Sequence, residues 1–229
     1  MFDGRFRVQV EKVVRPVGET LRKTGLSPDH LTLLGMLVAV AAAVSIGAGA
    51  LQLGLFLVIC SALPDLLDGA LAKASNSASQ RGAFFDSVVD RVTDALLFGG
   101  VAWFFATTKD PRLSLIPFAI MGVSMLISYE RAKAESLGLN AKGGLMERAE
   151  RIIVLCVGLL FESLIVWIMA AMLILVTMTA LQRFVKVWRQ AAVAPIVAER
   201  IEVRRSRRAS RRARRDDYRT RFARRKRLS

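Results

Sequence analysis

The chain has 229 residues, 53% of them hydrophobic, and a formal net charge of +15. That length fits one domain, and apolar runs of about 20 residues point to a membrane protein and away from a cytosolic globule. His30 is the single histidine, which removes most histidine-metal and histidine-triad chemistry, while Cys60 and Cys156 sit in apolar stretches, form no zinc pattern and suggest no disulfide framework.

The N-terminus carries charges throughout and has no continuous apolar core, so it does not read as a cleavable signal. Phe6, Val10, Val13, Val17 and Leu21 recur at three- and four-residue steps, with Arg5, Arg7, Lys12, Arg15 and Arg22 among them. This predicts an amphipathic helix lying in the membrane interface and bent at Pro16. Ser27-Pro28-Asp29-His30 then supplies a helix start, with Ser or Asp as cap and Pro at an early position. A first span follows over residues 31–46, and Gly47, Gly49 and Gly54 mark the turn into a second over 51–74. A third covers 82–107. After a loop at 108–112, a fourth runs over 113–135, with Ser128, Tyr129, Arg131 and Lys133 in its last two turns. A glycine-rich polar loop at 138–145 precedes a fifth, which opens with Glu147, Arg148, Glu150 and Arg151 and runs to about Phe161. The sixth covers 164–186 and includes Arg183.

The expected architecture is an all-α integral membrane protein with six transmembrane helices, an interfacial helix and a polar site at one rim. The chain divides into the interfacial helix (1–26), the membrane domain (27–190) and a basic, disordered tail (191–229). From Arg200 onward the tail holds fourteen Arg and one Lys against Glu202, Asp216 and Asp217, so the high net charge belongs mostly to this appendage. Such a run is drawn to anionic lipid headgroups at about 1 kcal/mol per charge near the surface. Nucleic-acid binding is not expected, because Tyr218 and Phe222 are its only stacking side chains. The basic loops fall on one side of the six spans together with both termini. The positive-inside rule therefore places the termini in the cytosol, at a cell membrane.

Carboxylates at Asp65, Asp68, Asp86, Asp90 and Asp94 interrupt the second and third spans, with a Gly/Ala/Ser-rich hinge between them. Asp65 and Asp68 are three apart and Asp86 and Asp90 four apart, so each pair projects from one face of a helix. An ionised Asp in mid-membrane costs roughly 2.5–3.5 kcal/mol, so four cost on the order of 10 kcal/mol unless something neutralises them or they lie near the interface. Two divalent cations balance four carboxylates, and oxygen-only ligands select hard ions such as Mg²⁺ or Mn²⁺.

The pattern Asp65-x-x-Asp68-Gly69-x-x-Ala72-Lys73, then eight residues, then Gly82-x-x-x-Asp86-x-x-x-Asp90, resembles the signature of the CDP-alcohol phosphotransferase family. The one departure is Lys73, where the family has Arg; it keeps the charge without the bidentate fork. The resemblance implies CDP-diacylglycerol as substrate and CMP as leaving group, with Asp65, Asp68, Asp86 and Asp90 as ligands to two Mg²⁺ ions, Mn²⁺ being the alternative. It also makes Asp90 the general base that takes the proton from an attacking alcohol. Gly69, Lys73 and Ser79 are implied contacts of the CDP-lipid, as are Asp29, His30, Leu31 and Thr32 at the start of span one. Asp94 continues the acidic face one turn deeper and is expected to pair with a span-three Arg or Thr.

Cations at the same ends of spans four to six favour an anionic acceptor, since Arg pairs bidentately with phosphate. The run ISYERAKAESLG followed by GGLMERAERIIV also resembles the actinobacterial phosphatidylinositol-phosphate synthase branch of the family, over roughly residues 5–190. That likeness implies inositol 1-phosphate as acceptor, its phosphate held by Ser128, Arg131, Arg151 and Arg183, and a homodimer. Phosphatidylglycerol-phosphate synthesis, with glycerol 3-phosphate as acceptor, is the rival within the family. A divalent-cation carrier is the rival from another class; it would need acids along a whole span.

Overall fold

The computed structural model describes residues 28–62, 80–141 and 143–192. The interfacial helix expected over 1–26, the stretch with Asp65, Asp68, Gly69, Lys73 and Ser79, and the basic tail from 193 onward lie outside them. The described residues are all-helical: α1 (Pro28–Gly47), α2 (Leu51–Ala62), α3 (Gln80–Thr108), α4 (Leu115–Ser136), α5 (Arg148–Leu160) and α6 (Ile165–Ala191). Short 3-10 turns at Pro111–Ser114 and Glu162–Leu164 lead into α4 and α6.

Local chemistry explains several of these boundaries. Pro28 occupies the first position of α1 and Asp29 lies in its first turn, where a fixed φ and a negative charge both suit a helix start. Asp110 caps the turn before α4 by accepting from the Arg112 backbone N–H at 2.9 Å. At the end of α4, Leu139 N–H reaches the Ala134 carbonyl at 2.8 Å and Gly138 N–H reaches that of Glu135 at 3.0 Å. Gly138 takes φ 71°, the left-handed conformation this closure demands.

Among the described residues, Asp29–Gly47, Pro111–Ser136 and Glu162–Ala191 are long and apolar enough to cross a membrane, which marks the chain as a membrane protein. Helix α3 has 29 residues, so at 1.5 Å per residue it extends roughly 43 Å, against a hydrocarbon core of about 30 Å. That length lets its charged first turns stand clear of hydrocarbon. Helix α5 has only 13 residues, about 20 Å.

Helix α1 packs along α3, α3 against α4, α4 against α6, and α6 against α5. The α1–α3 crossing is close at Gly100, where a Cβ would fall 2.5 Å from the Ala43 carbonyl oxygen, so only a glycine fits. The core is filled by Leu97, Phe98 and Phe105 of α3, Ile120 of α4, Leu155 and Leu159 of α5, and Met169, Met172 and Val176 of α6. Large apolar side chains also face outward, among them Leu37, Trp167, Ile174 and Leu181, as expected for a surface that meets lipid. Asp94, Arg151 and Arg183 are the buried charged residues among those described. They gather at the end of the bundle where α3 begins and α4 ends. At the other end, Lys109 and Glu162 approach to 3.4 Å at the surface.

Candidate active site

The first half of α3 carries Asp86, Asp90 and Asp94 at four-residue steps, which stacks them along one helical face. The last turns of α4 bring Ser128 and Arg131 to the same end, the first turn of α5 brings Arg148 and Arg151, and the second half of α6 brings Arg183. All of these except Asp94 line an open cleft of about 1580 Å³. The structure therefore brings Asp86 and Asp90 together with all four residues expected to hold an acceptor phosphate. Asp29, His30, Leu31 and Thr32 form the first turn of α1 and are not among the residues lining this cleft; Leu31 and Thr32 are buried and His30 is exposed.

Behind the cleft lies a layered ion network. Asp94 and Arg151 are both 2% exposed, and Arg151 Nη2 donates to Asp94 Oδ2 at 2.6 Å. Arg148 bridges the two acidic steps, with Nη1 2.6 Å from Asp90 Oδ1 and Nε 3.5 Å from Asp94 Oδ1. Arg91 Nη2 lies 3.4 Å from Asp90 Oδ2, and its Nη1 donates to Ser128 Oγ. Ser128 in turn donates to the Ser124 carbonyl at 2.9 Å. The partner of Asp94 is thus an arginine of α5, where the sequence reading expected an Arg or Thr of the third span. The physical reason is burial: Asp94 and Arg151 are equally enclosed, and an ionised group held out of water needs a counter-charge, which among the described residues each finds in the other at 2.6 Å.

Arg183 is 5% exposed and ties three elements together. Its Nη1 donates to the Ile127 carbonyl of α4 at 3.0 Å and its Nη2 to the Gly143 carbonyl of the following loop at 3.1 Å, with Glu147 at 3.9 Å. The same loop is held by Met146 N–H on Thr179 Oγ1 at 3.1 Å, and by a reciprocal pair in which Asn140 N–H donates to Gln190 and Gln190 donates back at 2.8 Å. These contacts fix the backbone just before Glu147 and Arg148. Arg131 is the most open of the cations and bonds Glu135 one turn on at 3.0 Å.

Chemically, the cleft has an acidic wall and a basic one. Asp86 and Asp90 offer only hard oxygen donors on one helical face, a donor set that suits Mg²⁺ or Mn²⁺. Among the described residues no cluster of three or more metal-ligating side chains occurs. Asp65 and Asp68, the other half of the expected box, lie outside those residues. Arg148 belongs to the cations that the sequence places at the ends of spans four to six, but its pairing with Asp90, like that of Arg91, is seen only in the structure. Arg91, the one arginine of the third span, was expected beside Asp94 and instead meets Asp90 and Ser128.

The chain matches the family model for CDP-alcohol phosphatidyltransferase over residues 26–188. The phosphatidylinositol phosphate synthase of Mycobacteroides abscessus is 37% identical over 154 residues, covering 66% of this chain and 70% of that protein. The archaetidylinositol phosphate synthase of Methanothermobacter thermautotrophicus is 34% identical over 192 residues, covering 82% and 94%. The crystal structure of Mycobacterium tuberculosis phosphatidylinositol phosphate synthase (PgsA1) with CDP-DAG bound is similar at a TM-score of 0.73 and 31% identity, covering 77% of this chain and 94% of that one. The same protein in complex with manganese and citrate gives a TM-score of 0.72 at 31% identity, covering 76% and 88%.

Proposed function

Because the chain belongs to the CDP-alcohol phosphatidyltransferase family, we propose that it is a phosphatidylinositol-phosphate synthase, transferring the phosphatidyl group of CDP-diacylglycerol to inositol 1-phosphate with release of CMP. The observation that carries this reading is the cleft itself, where carboxylates of α3 face the serine and arginines of α4, α5 and α6. The names and the bound CDP-DAG of the relatives above support the same donor and acceptor.

Asp65, Asp68, Asp86 and Asp90 would hold divalent cations, two Mg²⁺ or Mn²⁺ ions on the charge balance. When bound, such ions neutralise the diphosphate and polarise the phosphorus under attack. Asp90 takes the proton from the inositol hydroxyl as its oxygen attacks the phosphorus that bears diacylglycerol. The bond from that phosphorus to CMP breaks, and CMP leaves. Arg131, Arg151 and Arg183, with Ser128, hold the phosphate of the acceptor. Arg151 and Arg183 are pre-oriented for this by Asp94 and by the Ile127 and Gly143 carbonyls. Such anchoring limits the entropy lost when the anion arrives. Lys73, Ser79, Gly69 and the Asp29–Thr32 turn complete the CDP-lipid site.

The remaining organisation follows from the same reading. In this reading the chain has six spans, an interfacial helix and a basic tail, with both termini and the cleft on the cytoplasmic side of the cell membrane, which the basic loops on that side support, and the enzyme acts as a homodimer. The experiment offers inositol 1-phosphate, glycerol 3-phosphate, inositol and serine in parallel to purified protein with CDP-diacylglycerol and Mg²⁺, and measures CMP release. Inositol 1-phosphate is expected to give the fastest release; equal or faster release with glycerol 3-phosphate overturns the acceptor assignment.

A further inference from the structure

Asp90 is asked to serve a cation, yet in the structure its carboxylate already faces two guanidinium groups. Arg148 Nη1 sits 2.6 Å from Oδ1, and Arg91 Nη2 lies 3.4 Å from Oδ2. The two arginines are not equivalent. Arg91 is the neighbour of Asp90 on the same helix and is also committed to Ser128. Arg148 comes from α5, makes the shorter contact, and has a second carboxylate within reach one turn deeper. That second carboxylate is Asp94, whose Oδ1 is buried, accepts no hydrogen bond and lies 3.5 Å from Arg148 Nε. Its other oxygen is taken by Arg151.

We propose that Arg148 is a built-in counter-ion that occupies Asp90 when no divalent cation is bound and withdraws onto Asp94 when one arrives. The inference rests on the metal-binding reading of the cleft and deepens it. A dication and a guanidinium cannot share one carboxylate oxygen at contact distance, because their repulsion in a poorly screened cleft is large. Without a cation, however, the acidic face of α3 at a membrane rim is costly, and Arg148 offsets that cost. Oδ1 of Asp94 accepts no hydrogen bond and already lies 3.5 Å from Arg148 Nε, so it offers the displaced guanidinium a charged partner. Arg148 is thus a positioning residue that sets the affinity of the cleft for its cation.

The test is a Mn²⁺ titration of the full chain in nanodiscs, following the electron paramagnetic resonance signal of free Mn²⁺. Arg148→Gln removes the competitor and is expected to tighten Mn²⁺ binding by about tenfold, given a unit charge at contact distance from the ligand oxygen. Arg148→Met, which keeps the volume of the stem, is made alongside so that a folding failure of one variant does not stop the test. Unchanged or weaker Mn²⁺ affinity in the folded variant overturns the proposal, and so does tightening of equal size when Arg148→Gln is made in an Asp94→Asn background, because a fixed nearby charge acts without the second carboxylate whereas an exchanging one depends on it. Asp86→Asn separates the two levels of inference. If it leaves Mn²⁺ binding intact, the metal reading fails and the counter-ion role with it. If it weakens binding while loss of Arg148 brings no tightening, only the counter-ion role fails.

Discussion

Replacing Asp94 by Asn removes the counter-charge of a guanidinium that has nowhere else to go. Asp94 and Arg151 are each 2% exposed with charged atoms 2.6 Å apart, so the variant leaves Arg151 ionised inside the bundle. Breaking a buried pair from one side costs roughly 3–5 kcal/mol. The upper part of that range applies here, because Arg148 Nε, at 3.5 Å, loses the same partner. Arg151→Met strands Asp94 instead, but Arg148 remains close enough to compensate, and the cost should fall to about 2–3 kcal/mol, below the usual range for an uncompensated charge. At roughly 2–4 °C per kcal/mol for a chain of this size, Asp94→Asn should lower Tm by about 10 °C or more and Arg151→Met by about half as much. Thermal unfolding of the detergent-purified variants, read by tryptophan fluorescence, measures both. An Arg151→Met loss equal to or larger than that of Asp94→Asn would refute the claim that Asp94 serves two arginines.

Gly100→Ala should destabilise the protein by about 1–3 kcal/mol through overpacking, because its Cβ would meet Ala43 backbone, whereas Gly99→Ala, with open space, should not; melting curves of the pair decide it. Arg183→Met unhooks the Gly143 carbonyl and should make the loop between α4 and α5 more susceptible to limited proteolysis, while raising the KM for inositol 1-phosphate more than that for CDP-diacylglycerol. Equal effects on both KM values would argue that Arg183 has no acceptor role. Chelation of divalent cations should abolish CMP release and added Mn²⁺ should restore it; activity that survives chelation would contradict the metal reading.

Much of the site was legible in the sequence because its key residues repeat at helical spacing. Four-residue steps put Asp86 and Asp90 on one face, and the cations at matching helix ends could be gathered once six apolar stretches were counted. What spacing does not carry is which neighbour a face meets. The bonds from Asp94 to Arg151 and from Asp90 to Arg148 join residues 57 and 58 positions apart, and they depend on where the bundle sets the first turn of α5 relative to α3. The same limit explains why Asp94 was assigned a partner on its own helix. The fifth stretch was legible too, since α5 runs over Arg148–Leu160, close to the bounds its apolar content sets between Glu147 and Phe161.

The most direct measurement is the initial rate of CMP release by Asp90→Asn against the unmodified chain, in proteoliposomes holding CDP-diacylglycerol, inositol 1-phosphate and Mn²⁺. With its general base neutralised, the variant should lose about 10²-fold or more in rate while still binding CDP-diacylglycerol. Release at an undiminished rate would mean that the acidic face of α3 is not where the phosphatidyl group is transferred.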